Sequence, residues 1–263
     1  TEVVPGDAVG YDIVVSNLGP SSVRGVFVDD DFPPAMFDTV WSCLATPSPG
    51  TLDPALETDT VSLPSAMAIS ADGRWAYVAA GSSVEAFRRD PLTGALSPDE
   101  VYTDGADGIA GLQGASDIVL TGGGRFLYVA GATSDAIALF ARDTGTGELE
   151  FEGAWLDGLG GIEGLGGVNR LLVSPDGNWL YAAGAEDNAI AVFGISGVDG
   201  ALSPASVFAQ GVDGVDGLNG ITDIGFAEDA SLLMVTADAN QSLTTFERNA
   251  ATGALTFTGI LFN

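Results

Sequence analysis

A chain of 263 residues with 46% hydrophobic residues, 17% charged residues and 37 glycines has the profile of a packed, turn-rich globular protein, not of a disordered one. Its 36 acidic residues stand against eight basic ones, for a net charge of −28, with no histidine; all eight bases are arginines, so lysine is absent too. A field of that sign repels phosphate backbones and anionic membrane surfaces, which excludes nucleic-acid binding, and no run approaches the ~18 apolar residues of a membrane span, so no membrane insertion is expected.

The first segment, "VVPGDAVGYDIVVSNLGPSSVRGVFVDDDFPP", alternates Val9, Tyr11, Ile13 and Val15 on one strand face and breaks at "NLGPSS". A second strand carrying Val26 and Val28 ends at Asp29-Asp30-Asp31, an acidic run that reads as a solvated turn. The pattern PGD-x-V-x-Y-x-I-x-V-x-N-x-GP resembles an immunoglobulin-like module that recurs in tandem on large bacterial surface proteins. An Ig-like β-sandwich segment is therefore expected over residues 1–45, with its opening strand missing. Cys43, the single cysteine, has no partner in the chain and no histidine to activate it, so it reads as a small buried residue. Residues 46–62 read as a linker or as a stray outer blade strand, "GTLDPALETD". The start at Thr1 leads to the expectation of a processed chain or a piece of a longer one.

From residue 63 onward the chain repeats. Phe87, Phe140, Phe193 and Phe246 are spaced at steps of 53, and a glycine-x-leucine element keeps the same step at Gly94/Leu96, Gly147/Leu149, Gly200/Leu202 and Gly253/Leu255. Ahead of each phenylalanine runs a turn and an aromatic strand, "SADGRWAYVA", "TGGGRFLYVA", "SPDGNWLYAA" and the more degenerate "AEDASLLMVT". Each unit predicts four short antiparallel strands joined by Asp-Gly, Thr-Gly or Gly-Gly turns, which supply the positive φ of tight hairpins. Four strands per repeat at a period near fifty is the signature of a β-propeller blade. The expected fold is thus all-β, an Ig-like segment followed by four four-stranded blades at about 63–113, 114–166, 167–219 and 220–263. The recurring "SPDGNWLYAAG…DNAIAVF…GAL" pattern resembles the lactonase-like propellers and the related YVTN surface-protein repeats. That resemblance implies either sugar-lactone chemistry or non-catalytic display on a cell surface.

Between the units lie three acidic glycine loops, "DGADGIAGLQGASD", "DGLGGIEGLGGVNR" and "QGVDGVDGLNGITD". Their glycines and Leu112, Leu165 and Leu218 hold fixed places while the carboxylates drift, which favours a blade connector with its leucine against the core. The ligand spacing does not fit an EF-hand, and a Walker loop needs a lysine that the chain lacks. Calcium is the functional alternative, with Asp213, Asp216, Asn219 and Asp223 as first candidate ligands and Asp104 with Asp107 as second. Asp117, Arg170 and Asp223 share one repeat position at the start of the inner strands and are the candidate lining of a ligand mouth. Asn240-Gln241-Ser242 is a formal glycosylation sequon.

The leading functional expectation is an extracellular or cell-surface structural or adhesive module that pairs with copies of itself through sheet edges, in a filament or other polymeric assembly, with no catalytic residues. The alternative is a lactonase-like propeller that binds or hydrolyses a small ligand at its mouth.

Overall fold

The structure, a computed structural model, describes residues 63–262. The Ig-like segment expected at 1–45 and the linker or stray strand at 46–62 lie outside the described residues. The chain divides into two units, residues 1–45 and 46–263, and the described strands all belong to the second.

Sixteen strands form four sheets of four, each ordered as the chain runs. Blade one holds β1 (Pro64–Ile69), β2 (Trp75–Ala80), β3 (Ser83–Arg89) and β4 (Leu96–Thr103). Blade two holds β5 (Ala115–Leu120), β6 (Phe126–Gly131), β7 (Ala136–Arg142) and β8 (Leu149–Leu156). Blade three holds β9 (Val168–Val173), β10 (Trp179–Gly184), β11 (Ala189–Ile195) and β12 (Leu202–Ala209). Blade four holds β13 (Ile221–Phe226), β14 (Leu232–Ala237), β15 (Ser242–Arg248) and β16 (Leu255–Phe262). All pairings are antiparallel, so each connector leaves an outer strand and returns to the next inner strand at one end of the blades.

In blades two and three the second and third strands are sandwiched between neighbouring blades, and their sequences are accordingly apolar on both faces; all six residues of β6 are buried. Core side chains gather between blades and not within them. One cluster joins blades one and two through Tyr77, Val84, Ile118 and Phe140; the next joins two and three, and the last joins three and four. Among the described residues no such cluster joins blade four back to blade one.

The glycine-x-leucine element is explained at these interfaces. Gly147 has φ +80°, and a Cβ there would lie 2.2 Å from the Trp75 ring of the preceding blade. Gly200 and Gly253 stand against Phe126 and Trp179 in the same way. Beside each glycine a tyrosine hydroxyl crosses the interface and donates to its carbonyl: Tyr77 to Gly147 at 2.6 Å, Tyr128 to Gly200 at 2.6 Å and Tyr181 to Gly253 at 2.8 Å.

Arginine completes two of these three junctions. Arg142 Nε donates to Tyr77 at 2.6 Å, and Arg248 Nε donates to Tyr181 at 3.0 Å while its Nη2 reaches Asp176 at 3.0 Å. Burial opposes ionisation of Asp176, but hydrogen bonds from Ser174, Asn178 and Arg248 outweigh it and hold the carboxyl below its ordinary range. Between blades two and three the arginine position is Ile195, and Arg125 instead reaches across to the carbonyls of Gly197 and Val198.

Candidate functional site

Each inner strand begins with a β-bulge at the same repeat position, Ser65, Ser116, Asn169 and Thr222. A bulge leaves one residue unpaired and re-aims its side chain. Here the freed polar group ties neighbouring blades together. Ser65 donates to the Ala115 carbonyl, Ser116 to the Val168 carbonyl at 2.9 Å and Asn169 to the Ile221 carbonyl at 2.8 Å. Thr222, in the last described blade, bonds within its own sheet to Thr236.

The residue after the bulge is Ala66, Asp117, Arg170 or Asp223. The structure brings the last three together across adjacent inner strands. Arg170 Nε meets Asp223 Oδ1 at 3.2 Å, and its Nη1 donates to the Asn169 carbonyl at 2.7 Å. The two side chains are 40% and 68% exposed, so the pair lies at an open surface. Asp117 is fixed by the Leu171 amide of the next inner strand at 2.7 Å and by the Ile118 amide at 2.8 Å. Burial pushes its carboxyl above the ordinary range; the two amides and the Arg170 charge pull the other way, and Asp223 adds to the rise. A carboxylate with raised proton affinity beside a guanidinium that faces solvent can take a proton while the guanidinium holds a developing negative charge.

The connector carboxylates have other work. Asp104 Oδ1 accepts from the Leu112 amide at 3.0 Å, and Asp157 does the same for Leu165 at 2.9 Å. In the third connector the neutral Gln210 oxygen makes that bond to Leu218 at 2.7 Å, so the position needs an acceptor and not a charge. The three leucines so held are fully buried. Asp107 and Asp213 sit at φ +51° and +50°, where a short polar side chain is tolerated and where the second connector has Gly160. Asp216 accepts from the Gln210 amide at 2.6 Å, which, with the Gly217 amide, lowers its pKa. The Asn219 amide donates to Asn240, and Asp223 belongs to the arginine pair. Among the described residues no group of three or more Asp, Glu, Cys or His is placed to hold a metal ion. The sequon is also engaged: Asn240 accepts from Asn219, and the Ser242 hydroxyl is buried against the Gly217 carbonyl.

Two features of this end escaped sequence reading. The bulge was signalled only by a polar residue at one place in each inner strand, and the acceptor eight residues before each leucine only by the Asp, Asp, Gln series.

A family model described as a seven-bladed β-propeller lactonase matches residues 53–204 and 156–261, and so takes in all four repeats. No curated protein matches the chain. Among solved structures, a protein designated a candidate 6-phosphogluconolactonase from Bacteroides uniformis superposes with a TM-score of 0.63 at 20% identity. The match covers 82% of this chain and 59% of that one. The Pseudomonas aeruginosa periplasmic gluconolactonase gives 0.61 at 20% identity, covering 76% and 57%. A second such candidate, from Bacteroides fragilis, gives 0.60 at 20% identity, covering 74% and 53%. This chain therefore spans little more than half the length of these structures. At that identity they show the fold.

The match corrects the leading expectation of a self-associating structural or adhesive filament module. The repeats that resembled those of surface proteins are matched by the lactonase propeller model, and their 53-residue step serves to bury sheet faces blade against blade. No helix among the described residues is long and apolar enough to cross a membrane.

Proposed function

The chain belongs to the seven-bladed β-propeller lactonase family, and on that premise we propose that it binds and hydrolyses a small lactone at the connector end of its blades. The observation that carries this reading is the Asp117–Arg170–Asp223 group, three side chains from consecutive inner strands held at one open surface. Arg170 receives the lactone carbonyl oxygen. Asp117 takes a proton from a water molecule as the water oxygen attacks the carbonyl carbon, and Arg170 stabilises the tetrahedral oxyanion. When the intermediate collapses, the ring C–O bond breaks and Asp117 returns the proton to the departing alkoxide. The products balance as one hydroxy acid per lactone and water. Asp223 keeps the guanidinium in position. We place the protein outside the cytoplasm, as the acid-rich surface and the periplasmic relative suggest.

The test is a pH-stat assay of a panel of aldonolactones with the full chain and with Arg170→Ala. Hydrolysis above the buffer rate, reduced roughly 100-fold in kcat/KM by the substitution, is expected. Hydrolysis unaffected by the substitution would move the chemistry to another part of the molecule.

A further inference from the structure

Carboxylates occur at both ends of the blades, but all the described arginines except one lie at a single end. Three connectors carry Asp104, Asp107, Asp157, Glu163, Asp213 and Asp216, and the hairpin turns beside them add Asp135, Glu186, Asp187 and Asp238. Asp117 and Asp223 complete this face, where the one described cation is Arg170, already facing Asp223. The other described arginines, Arg74, Arg88, Arg89, Arg125, Arg142 and Arg248, all lie toward the opposite end, at the first and third hairpins of the blades. Five of them are committed there, Arg142 and Arg248 to interblade tyrosines, Arg125 and Arg89 to backbone carbonyls and Arg88 to Asp99 at 2.9 Å.

A phosphoryl group carries about −1.5 to −2 charges near neutral pH and is held by arginines, lysines or helix N-termini. The chain has no lysine and no histidine, and no helix occurs among the described residues. The mouth offers half-compensated Arg170 within a field of carboxylates.

Resting on the lactonase reading, we propose that the substrate is an uncharged, unphosphorylated sugar lactone and that the acidic connector face rejects its phosphorylated counterpart. The same field favours turnover. Hydrolysis converts a neutral ring into a carboxylate, which the face repels, so the product leaves without competing for the site. Neutral polyols lose nothing to this field, because their hydroxyls bond to carboxylates as readily as to water.

The experiment compares kcat/KM for glucono-δ-lactone and 6-phosphogluconolactone with the full chain at low and high salt. The neutral lactone is expected to be preferred by roughly 100-fold, with the phosphorylated rate rising on added salt while the neutral rate stays level. Glu163→Lys, on an exposed connector position outside the reacting trio, should raise the phosphorylated rate severalfold and leave the neutral one unchanged. Equal use of both lactones, or preference for the phosphorylated one, overturns the proposal while leaving the lactonase reading standing. If neither is hydrolysed and calorimetry detects no binding of the neutral δ-lactam of gluconic acid, the lactonase reading itself fails and the proposal with it.

Discussion

Arg248 and Arg170 are the same residue type at opposite ends of neighbouring blades, and they do different things because of where the blade puts them. Arg248 is 4% exposed in its side chain and shares its protons between a tyrosine and an aspartate of blade three, so its charge is spent on holding two sheets together. Arg170 is 40% exposed and paired on one side only. The hairpin end of the blades is a structural seam built from aromatic rings, glycines and arginines. The connector end is a carboxylate surface that carries, among the described residues, one cation, Arg170. Stability should therefore be lost by changes at the first end and function by changes at the second.

The largest effect on folding is expected at the seam's glycine. Gly147→Ala drives a Cβ into the Trp75 ring at a positive φ, and should cost about 3 kcal/mol or more in urea denaturation. Gly160→Asp is the contrasting change at the connector end, where open space surrounds the position and the sister connectors carry aspartate; it should shift stability by less than about 0.5 kcal/mol. Arg248→Met comes next, because it strips Tyr181 and Asp176 of their shared donor, and a loss of about 3 kcal/mol is expected. Arg170→Met should leave the urea midpoint nearly unchanged, as exposed pairs contribute at most about 1 kcal/mol, while lowering kcat/KM for the lactone roughly 100-fold.

Asp176 at the seam and Asp117 at the connector end titrate in opposite senses. Asp176 has its folded pKa lowered, so its contribution to stability is complete above the unfolded value of 3.8 and is lost as pH falls through the folded one. Asp117 has its folded pKa raised, so its protonated form is the favoured one and its contribution disappears as pH rises through that value. Acid unfolding should thus begin at the seam, and Arg248→Met should flatten its pH dependence. Hydrolysis should rise with pH along a limb set by Asp117, above the ordinary carboxylate range, and Asp117→Asn should remove that limb. The smallest effect is expected for Asp104→Asn, within about 0.5 kcal/mol of the parent, since Gln210 already makes the equivalent bond without charge.

The seam was largely legible in the sequence because its parts are spaced by the repeat. Phe140 and Gly147 recur at steps of 53, and each unit forms the four antiparallel strands that its turns and alternation imply. Its alternation of Arg142, Ile195 and Arg248 was not legible, since each arginine takes its meaning from a tyrosine some 65 residues away. At the connector end, Asp117, Arg170 and Asp223 could be aligned by register, but their hydrogen bonds could not. The carboxylates of the connectors resembled calcium ligands because composition counts oxygens without showing which lone pairs are taken; Asp104 and Asp216 use theirs on Leu112 and Gln210. The assembly reading followed from a repeat shared by catalytic and non-catalytic propellers, a difference that periodicity does not carry.

The most direct test of a ligand-binding connector end is chemical-shift mapping of the full chain with the neutral δ-lactam of gluconic acid. The account predicts perturbed amides at Ile118, Leu171 and Ile224, beside the three charged residues, with the seam around Gly147 and Gly253 undisturbed. Perturbations confined to the hairpin end would contradict it.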